Sequence, residues 1–482
     1  MSNFYIKANR VFSPWRKYAW IFTLTVAVGG LWFPLLGVLV LPVMLGLTLV
    51  SFFRGRFWCG NICPHGSLFD SLLYPLSGNR KIPRLFRSKL FITAFFALFM
   101  YRVGSRLVLV FSNLWGTFTF WERLGTIFVS SYLMVTVAGG ITALLFTSRT
   151  WCSFCPMGTL QKLSYRLGKQ TGLNRSTDKK LTVLSADMCH ICGKCSRVCP
   201  MQLTPYLEFS DNNQFQSENC IRCATCVEHC PAGILSFTST PGTAQIPWGY
   251  GDRKTFPAVL ETVRPLDANT RELVFRFSDD DIRYTPGQFI LLRISGDPDM
   301  YRAFSISGFD PKRRTVTIGV RRVENGYGTE ILFDSFQEGD AVTLAGPMGH
   351  ELLVDPEADN LVLVAGGIGI TPFRSIAKDL AGQSGDGRRF TLVYGVNKPG
   401  EFLYDEEFRQ LAQETPGFTY VPVVAFDERF EGEHGFVTDV LKKMDLTGHK
   451  VYMCGPPPMT SAAVSLLRDK QVPATDVHYE SA

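Results

Sequence analysis

From Tyr18 to Phe53 the chain carries no charged side chain, thirty-six residues in a row. A helix crossing a bilayer needs about 20 apolar residues, so this run is too long for one span. Gly29-Gly30 and Pro34, near its middle, mark a turn. Two short helices are expected, at about 18–33 and 35–53, and a second apolar pair at about 90–111 and 124–147. The run is too long for a secretory signal, and more spans follow. Charge sets the orientation. Residues 1–150 hold 15 Lys/Arg against Asp70 and Glu122 alone, a balance of +13, whereas the rest holds 34 basic against 41 acidic. Basic residues cluster before the first span and between the pairs, and the opposite turns offer only Glu122 and Arg123. The positive-inside rule therefore places both termini in the cytoplasm of a multi-pass protein of a bacterial-type inner membrane. The overall net charge of +6 and mean hydropathy of +0.08 average these unlike parts.

Twelve of the 13 cysteines fall into short groups ending in proline, a pattern of metal ligation rather than of a secreted disulfide scaffold. Two groups close the apolar pairs. Arg56-Phe-Trp-Cys59-Gly-Asn-Ile-Cys63-Pro64 and Arg149-Thr-Trp-Cys152-Ser-Phe-Cys155-Pro156 repeat one phrase about ninety residues apart. If the copies pack about a two-fold axis, four thiols meet at the cytoplasmic membrane surface. That is the inventory for an iron–sulfur cluster or one tetrahedral zinc. The repeat resembles the membrane subunits of periplasmic nitrate reductase and nitrous-oxide reductase maturation (the NapH/NosR type), although the second copy is one residue shorter.

Cys189, Cys192, Cys195 and Cys199-Pro200 are followed by Cys220, Cys223, Cys226 and Cys230-Pro231 with the same spacing. This is the spacing of two-cluster bacterial ferredoxins, in which the fourth cysteine of each motif serves the other cluster. One [4Fe–4S] cluster is thus expected on Cys189, Cys192, Cys195 and Cys230, the second on Cys220, Cys223, Cys226 and Cys199.

Beyond about Pro247 short alternating segments such as Leu273–Phe277 and Thr315–Val320 read as an antiparallel barrel. Asn360–Ala365, Gly366-Gly367-Ile-Gly369-Ile-Thr371-Pro372 then reads as a buried strand, a glycine turn and a helix start, the context in which backbone amides receive a pyrophosphate. In motif order these segments resemble the ferredoxin–NADP reductase superfamily. The resemblance implies FAD bound through Arg302, Phe304, Ser305, Ser307, Gly328 and Thr329, with Phe304 in place of the usual Tyr. It implies a nicotinamide nucleotide on Gly366, Gly367, Gly369, Thr371, Pro372 and Gly455. Cys454, Ser305 and Glu480 fall where hydride transfer would occur. Tyr394-Gly395-Val-Asn397-Lys398 lacks an arginine pair for a 2′-phosphate, so NADH is favoured, with NADPH possible through Lys398.

The expected architecture is multidomain: a four-helix transmembrane anchor of two hairpin repeats (1–170), an α+β two-cluster ferredoxin (171–245), an antiparallel β-barrel FAD domain (246–355) and an α/β NAD(P)-binding domain (356–482). Electrons would pass from NAD(P)H through FAD, two [4Fe–4S] clusters and a third cluster on Cys59, Cys63, Cys152 and Cys155 to quinone or to a membrane or periplasmic acceptor protein. Reverse flow to NAD⁺, and a redox-sensing or maturation role, are the alternatives. None of the seven histidines lies in an expected span, which excludes a transmembrane bis-histidine haem path. No nucleic-acid module is evident. Arg102 and Arg106 lie inside the third apolar segment, where arginine is either functional or snorkels to the interface.

Overall fold

The computed structural model describes residues 4–117, 119–185, 188–210, 212–246, 254–278, 282–383 and 387–480. It divides into two compact units, residues 1–186 with 193–250, and residues 187–192 with 251–482.

In the first unit three helical segments have the length and apolarity to cross a bilayer: Pro34–Arg54, Lys89–Leu114 and Phe120–Leu145. The expected first span, at about 18–33, is not among these three. Its residues lie in the helices Pro14–Tyr18 and Trp20–Ala27 and a 3-10 turn at Gly29–Leu31, with Ala19 and Val28 between them also in the right-handed helical region. Gly29-Gly30 lowers helix propensity and Pro34 cannot donate to the preceding turn, so the regular α-helix ends at Ala27 and the helical path breaks at Phe33. It is held by packing, with Val26 and Ala27 fully buried. Close approach replaces length: a Cβ on Gly37 would lie 2.1 Å from the Gly125 carbonyl oxygen, and one on Gly125 would lie 2.0 Å from that of Pro34. Small residues let helical backbones touch in this way.

Each cysteine phrase ends in a helix that starts at its proline, Pro64–Leu68 after Cys63 and Pro156–Thr171 after Cys155. Proline at the first helical position gives up only an amide that has no partner there anyway. Beyond them β1 (Lys179–Val183) and β2 (Leu235–Ser239) pair antiparallel and bracket the ferredoxin cysteines.

The second unit opens with a closed six-stranded barrel of β3 (Thr255–Asp267), β4 (Thr270–Phe277), β5 (Phe289–Gly296), β6 (Asp299–Asp310), β7 (Thr315–Arg321) and β8 (Ala341–Met348), in the order β3-β4-β7-β6-β5-β8. All its pairings are antiparallel. A parallel sheet follows, ordered β12-β11-β10-β9-β13-β14, from β9 (Asn360–Gly366), β10 (Arg389–Val396), β11 (Phe418–Val424), β12 (Glu433–His434), β13 (Lys450–Cys454) and β14 (Val477–Tyr479). Leu361 to Ala365 of β9 are all buried, as a central strand covered on both faces requires. The turn after β9 leads into the helix Thr371–Gly382, so the glycine-rich loop stands at the carboxyl edge of the sheet, where such folds bind nucleotides.

Candidate functional site

Three groups of site residues can be followed in the structure, two in the first unit and one in the second.

The two membrane-proximal cysteine phrases come together with near reciprocity. Arg56 places Nη2 3.7 Å from Cys59 Sγ and donates to the Cys152 carbonyl at 2.8 Å. Arg149 places Nη1 3.6 Å from Cys152 Sγ and donates to the Cys59 carbonyl at 3.1 Å. Each arginine, three residues before its cysteine, thus reaches its own sulfur and the other copy's backbone. Gln161 Nε2 adds a donor 3.2 Å from Cys59 Sγ. Burial, then the neighbouring Cys59 and Cys152 sulfurs, push the Cys63 thiol well up and that of Cys155 up in the reverse order of neighbours, to about 12. Four sulfurs, of buried Cys59 and Cys152 and partly buried Cys63 and Cys155, within electrostatic reach of one another, are a donor set that favours cationic ligation. Arg56 Nε and Nη1 and Trp151 Nε1 are buried without an acceptor among the described residues, donors that cluster sulfurs would satisfy. Among the described residues no three His, Cys, Asp or Glu side chains are arranged to take a single metal ion.

Arg149 is held from behind. Asp70, fully buried, accepts from Arg149 Nε at 3.0 Å and from Nη2 at 2.7 Å, and pairs with Arg16. Burial opposes its ionisation, yet the Arg149 and Arg16 guanidiniums hold its carboxyl well below the usual carboxylate range.

The ferredoxin cysteines of this unit pack against the repeat. Cys199, Cys220, Cys223 and Cys226 line one small cavity with Ile221 and Met201, the four residues expected to share a cluster. Burial first, and neighbouring sulfurs with it, push Cys199 up to about 12 and Cys226 well up; Cys220 rises to about 11, chiefly by burial. Cys59, Cys152, Cys155, Cys199 and Cys223 share one apolar cluster. Asn61 Nδ2 donates to the Arg222 carbonyl at 3.1 Å. At the point of contact a Cβ on Gly60 would lie 2.0 Å from the Ile221 carbonyl oxygen. Gly60→Ala is therefore expected to separate the two cysteine loops and to cost about 1–3 kcal/mol, read as a lowered Tm of the purified protein.

In the second unit Ser305 Oγ donates to Glu480 Oε2 at 3.3 Å, and Cys454 Sγ lies 3.8 Å from the same oxygen. The three residues come from β6, the end of β13 and the segment after β14, joined by the Glu480 amide's bond to the Met453 carbonyl. Burial, then Glu351, raise the Glu480 carboxyl to about 7. Burial and Glu480 push the Cys454 thiol up, so it stays a neutral thiol at physiological pH. A Cβ on Gly369 would lie 2.2 Å from the Cys454 carbonyl oxygen, and only glycine lets the loop after β9 reach this point. Gly367 has φ +54°, in the left-handed region. Gly366 and Gly455 pack on Met459, and Thr371 and Pro372 begin the buried face of the following helix.

Arg302 and Gly328 meet, since a Cβ on Gly328 would lie 2.7 Å from Arg302 Nε. Thr329 Oγ1 accepts from the Val323 amide at 3.1 Å, in the first turn of the helix Tyr327–Ser335. Phe304, opposite Ile290 on the β5–β6 ladder, is half-buried. Ser307 is fully buried and donates to the Thr317 carbonyl at 3.2 Å. Its hydroxyl ties β6 to β7 in the barrel wall, and of the two serines it is Ser305 that bonds Glu480. Arg302 also donates to the Cys192 carbonyl at 2.9 Å, the Tyr301 amide to that of Ile191 at 3.2 Å, and His190 contacts Phe289 with ring centroids 5.1 Å apart. The segment bearing Cys189 and Cys192 is thereby fastened to the barrel.

Asp70, Gln161 and Glu351 escaped the sequence reading, since each is a lone polar residue outside any motif. Arg56 and Arg149 stood in the repeated phrase, and their common offset from the cysteine was the available signal.

An antiparallel barrel followed by a parallel sheet, with Ser, Cys and Glu converging in one place, is the arrangement of an FAD- and NAD-binding oxidoreductase. The comparisons agree. Residues 257–351 match the oxidoreductase FAD-binding domain and 363–465 the oxidoreductase NAD-binding domain. Residues 181–231 match the 4Fe-4S dicluster domain, and 36–83 and 131–174 match the 4Fe-4S binding domain. The toluate 1,2-dioxygenase electron transfer component of Pseudomonas putida is 30% identical over 47% of this chain and 67% of its own length. The chain therefore belongs to the family of FAD- and NAD-binding electron-transfer oxidoreductases that includes it. The phenol 2-monooxygenase reductase component DmpP of a Pseudomonas strain is 35% identical over 42% of this chain, which spans 58% of DmpP. Among solved structures the Amycolatopsis cytochrome P450 reductase GcoB aligns with a TM-score of 0.45 at 25% identity, over 52% of this chain and 78% of its own.

Glu480 carries a pH prediction. Its raised pKa means that the folded protein retains this proton between about pH 4.5 and 7, where the unfolded chain has lost it. NADH oxidation is expected to fall as pH rises through about 7. Glu480→Gln should abolish that inflection and lower kcat by about a hundredfold. A pH–rate profile with ferricyanide as acceptor checks both.

Proposed function

We propose that this protein is a membrane-bound NADH:acceptor oxidoreductase that exports electrons from a cytoplasmic flavin to the membrane. Bound FAD accepts an electron pair from the nicotinamide, and iron–sulfur clusters carry single electrons. In this reading Arg302, Phe304, Gly328 and Thr329 hold the flavin. Gly366, Gly367, Gly369, Thr371, Pro372 and Gly455 receive the nucleotide. Ser305 and Glu480 hold a proton beside the reacting ring, and Cys454 fills the space against the nicotinamide as a neutral thiol. Cys189, Cys192, Cys195 and Cys230 ligate one [4Fe–4S] cluster and Cys199, Cys220, Cys223 and Cys226 a second. Cys59, Cys63, Cys152 and Cys155 ligate a third. Spans at 34–54, 89–114 and 120–145, with basic flanks on one side, anchor these domains at the cytoplasmic face of an inner membrane.

The observation that carries the reading is the reciprocal contact of Arg56 and Arg149 with the two cysteine phrases, directly beneath the Cys220–Cys223 loop. Two guanidiniums against sulfur ligands favour the more negative, reduced state of a cluster there, which suits an electron exit. The acceptor is a quinone or a membrane protein. The relatives' names, a phenol monooxygenase and a toluate dioxygenase component, make an oxygenase the protein acceptor to try first. Iron and acid-labile sulfide per chain, measured together with EPR, test the reading. About twelve iron are expected for three cubanes, and about eight would deny the membrane cluster.

A further inference from the structure

A cavity of about 320 Å³ lies between the Lys89–Leu114 and Phe120–Leu145 helices. Phe95, Phe99, Arg102 and Arg106 line one wall and Ser130 and Ser131 the other. The first four fall at i, i+4, i+7 and i+11, one face of a helix, so both arginines face the cavity rather than pointing at random. Like charges at i, i+4 repel, and among the described residues neither guanidinium has a carboxylate partner. Arg102 stands thirteen residues into its helix, about 20 Å from the Lys89 end, near the middle of a span. Arginine at that depth calls for a polar occupant.

The other end of the cavity leads to the cysteines. The Phe95 ring lies 5.8 Å from that of Trp151 and 5.4 Å from that of Phe154, centroid to centroid. Trp151 precedes Cys152 and Phe154 precedes Cys155, and all three aromatic rings pack in the apolar cluster that contains those cysteines. The Lys89–Leu114 helix is exposed along most of its length, with Val110 its buried residue, so in a bilayer the cavity is open to the lipid.

We propose that this cavity is the binding site of a membrane-dissolved quinone, with Arg102 and Arg106 donating to its carbonyl oxygens. The inference rests on the membrane-exit reading above and names its acceptor. The serines distinguish a quinone from a phospholipid. Ser130 and Ser131 already donate their hydroxyl hydrogens to the Ile127 carbonyl, at 3.0 and 2.8 Å. What they turn to the cavity is lone pairs, which accept from a quinol O–H and repel a phosphate. Depth argues the same way, because headgroup phosphates do not reach the middle of a span. The reaction balances as NADH + H⁺ + quinone → NAD⁺ + quinol. The nicotinamide loses a hydride equivalent, two electrons reach the quinone, and its two carbonyl oxygens each gain a proton.

The test uses the full chain in phosphatidylcholine nanodiscs with decylubiquinone as the probe. NADH-driven reduction gives KM and kcat, and equilibrium dialysis without NADH gives Kd. Arg102→Gln and Arg106→Gln are each expected to raise both KM and Kd at least tenfold, Arg102→Lys to recover most of the loss, and iron content and EPR spectra to report intact folding. KM and Kd within twofold of wild type in both Gln variants would overturn the site. So would phosphatidylglycerol that binds in an arginine-dependent manner and is not displaced by decylubiquinone. A wild-type protein that binds decylubiquinone through these arginines but never reduces it would sustain the site and sink the membrane-exit reading instead.

Discussion

Cys59→Ser and Cys152→Ser are expected to separate the two ends of the protein. NADH oxidation by ferricyanide should continue near the wild-type rate, because Ser305, Cys454 and Glu480 belong to the second unit. Delivery to a membrane acceptor should fall by more than about a hundredfold. Loss of groups that merely support a metal ligand already costs about 10–100-fold, and here a ligand itself is replaced. Iron should drop from about twelve to about eight per chain, with the ferredoxin EPR signals retained. Membrane delivery at the wild-type rate in both variants would refute a cluster at this position. Both sulfurs are buried, and Cys59 takes a donor from Gln161 at 3.2 Å. A serine hydroxyl fits the same space, so lost folding is not the expected cause of lost transfer.

Asp70→Asn is expected to give the largest stability loss of any single substitution in the first unit. Its carboxylate accepts two bonds from Arg149 and pairs with Arg16, all three being buried. Removing the charge leaves two buried guanidiniums uncompensated, a change that costs about 3–5 kcal/mol. The damage should extend to the cysteines, because Arg149 also bonds the Cys59 carbonyl and approaches Cys152 Sγ. Thermal unfolding in detergent, with iron content read on the same sample, measures both effects. The depressed Asp70 pKa sets the acid response. Its stabilisation is fully present above the unfolded value near about pH 4 and is lost as pH falls toward the lower folded value. Wild type should therefore keep its first unit below pH 4, and the Asn variant should not show that acid dependence.

Much of the site was legible in the chain itself, for a physical reason. Cluster ligands must come from thiolates at short fixed spacings, so Cys199, Cys220, Cys223 and Cys226, which line one cavity, announce themselves. Gly366, Gly367 and Gly369 do so too, because backbone can approach a phosphate only where side chains are missing. Ser305 and Glu480 stand 175 residues apart, and they could be read only because each sits in a motif of known order. Ser307, from the same motif, bonds the Thr317 carbonyl of the neighbouring strand, a contact that barrel closure sets. Hydropathy marked the first expected span by apolarity alone, whereas Gly29, Gly30 and Pro34 decide where its helix ends.

The cysteine spacing and the glycine and flavin motifs by themselves pointed to iron–sulfur segments and a flavin–nicotinamide module, and the uncharged run and the charge asymmetry to an apolar, basic N-terminal part. Those are local properties, set by spacing and composition. Tertiary structure alone decided which arginines face which sulfurs, that Asp70 secures one of them, that Glu480 holds its proton to about pH 7, and that Phe95 joins a cavity to the cysteine cluster. Each depends on burial and on contacts between residues distant in the chain, and burial is what turns an ordinary arginine or carboxylate into a group with a specific charge and a specific partner.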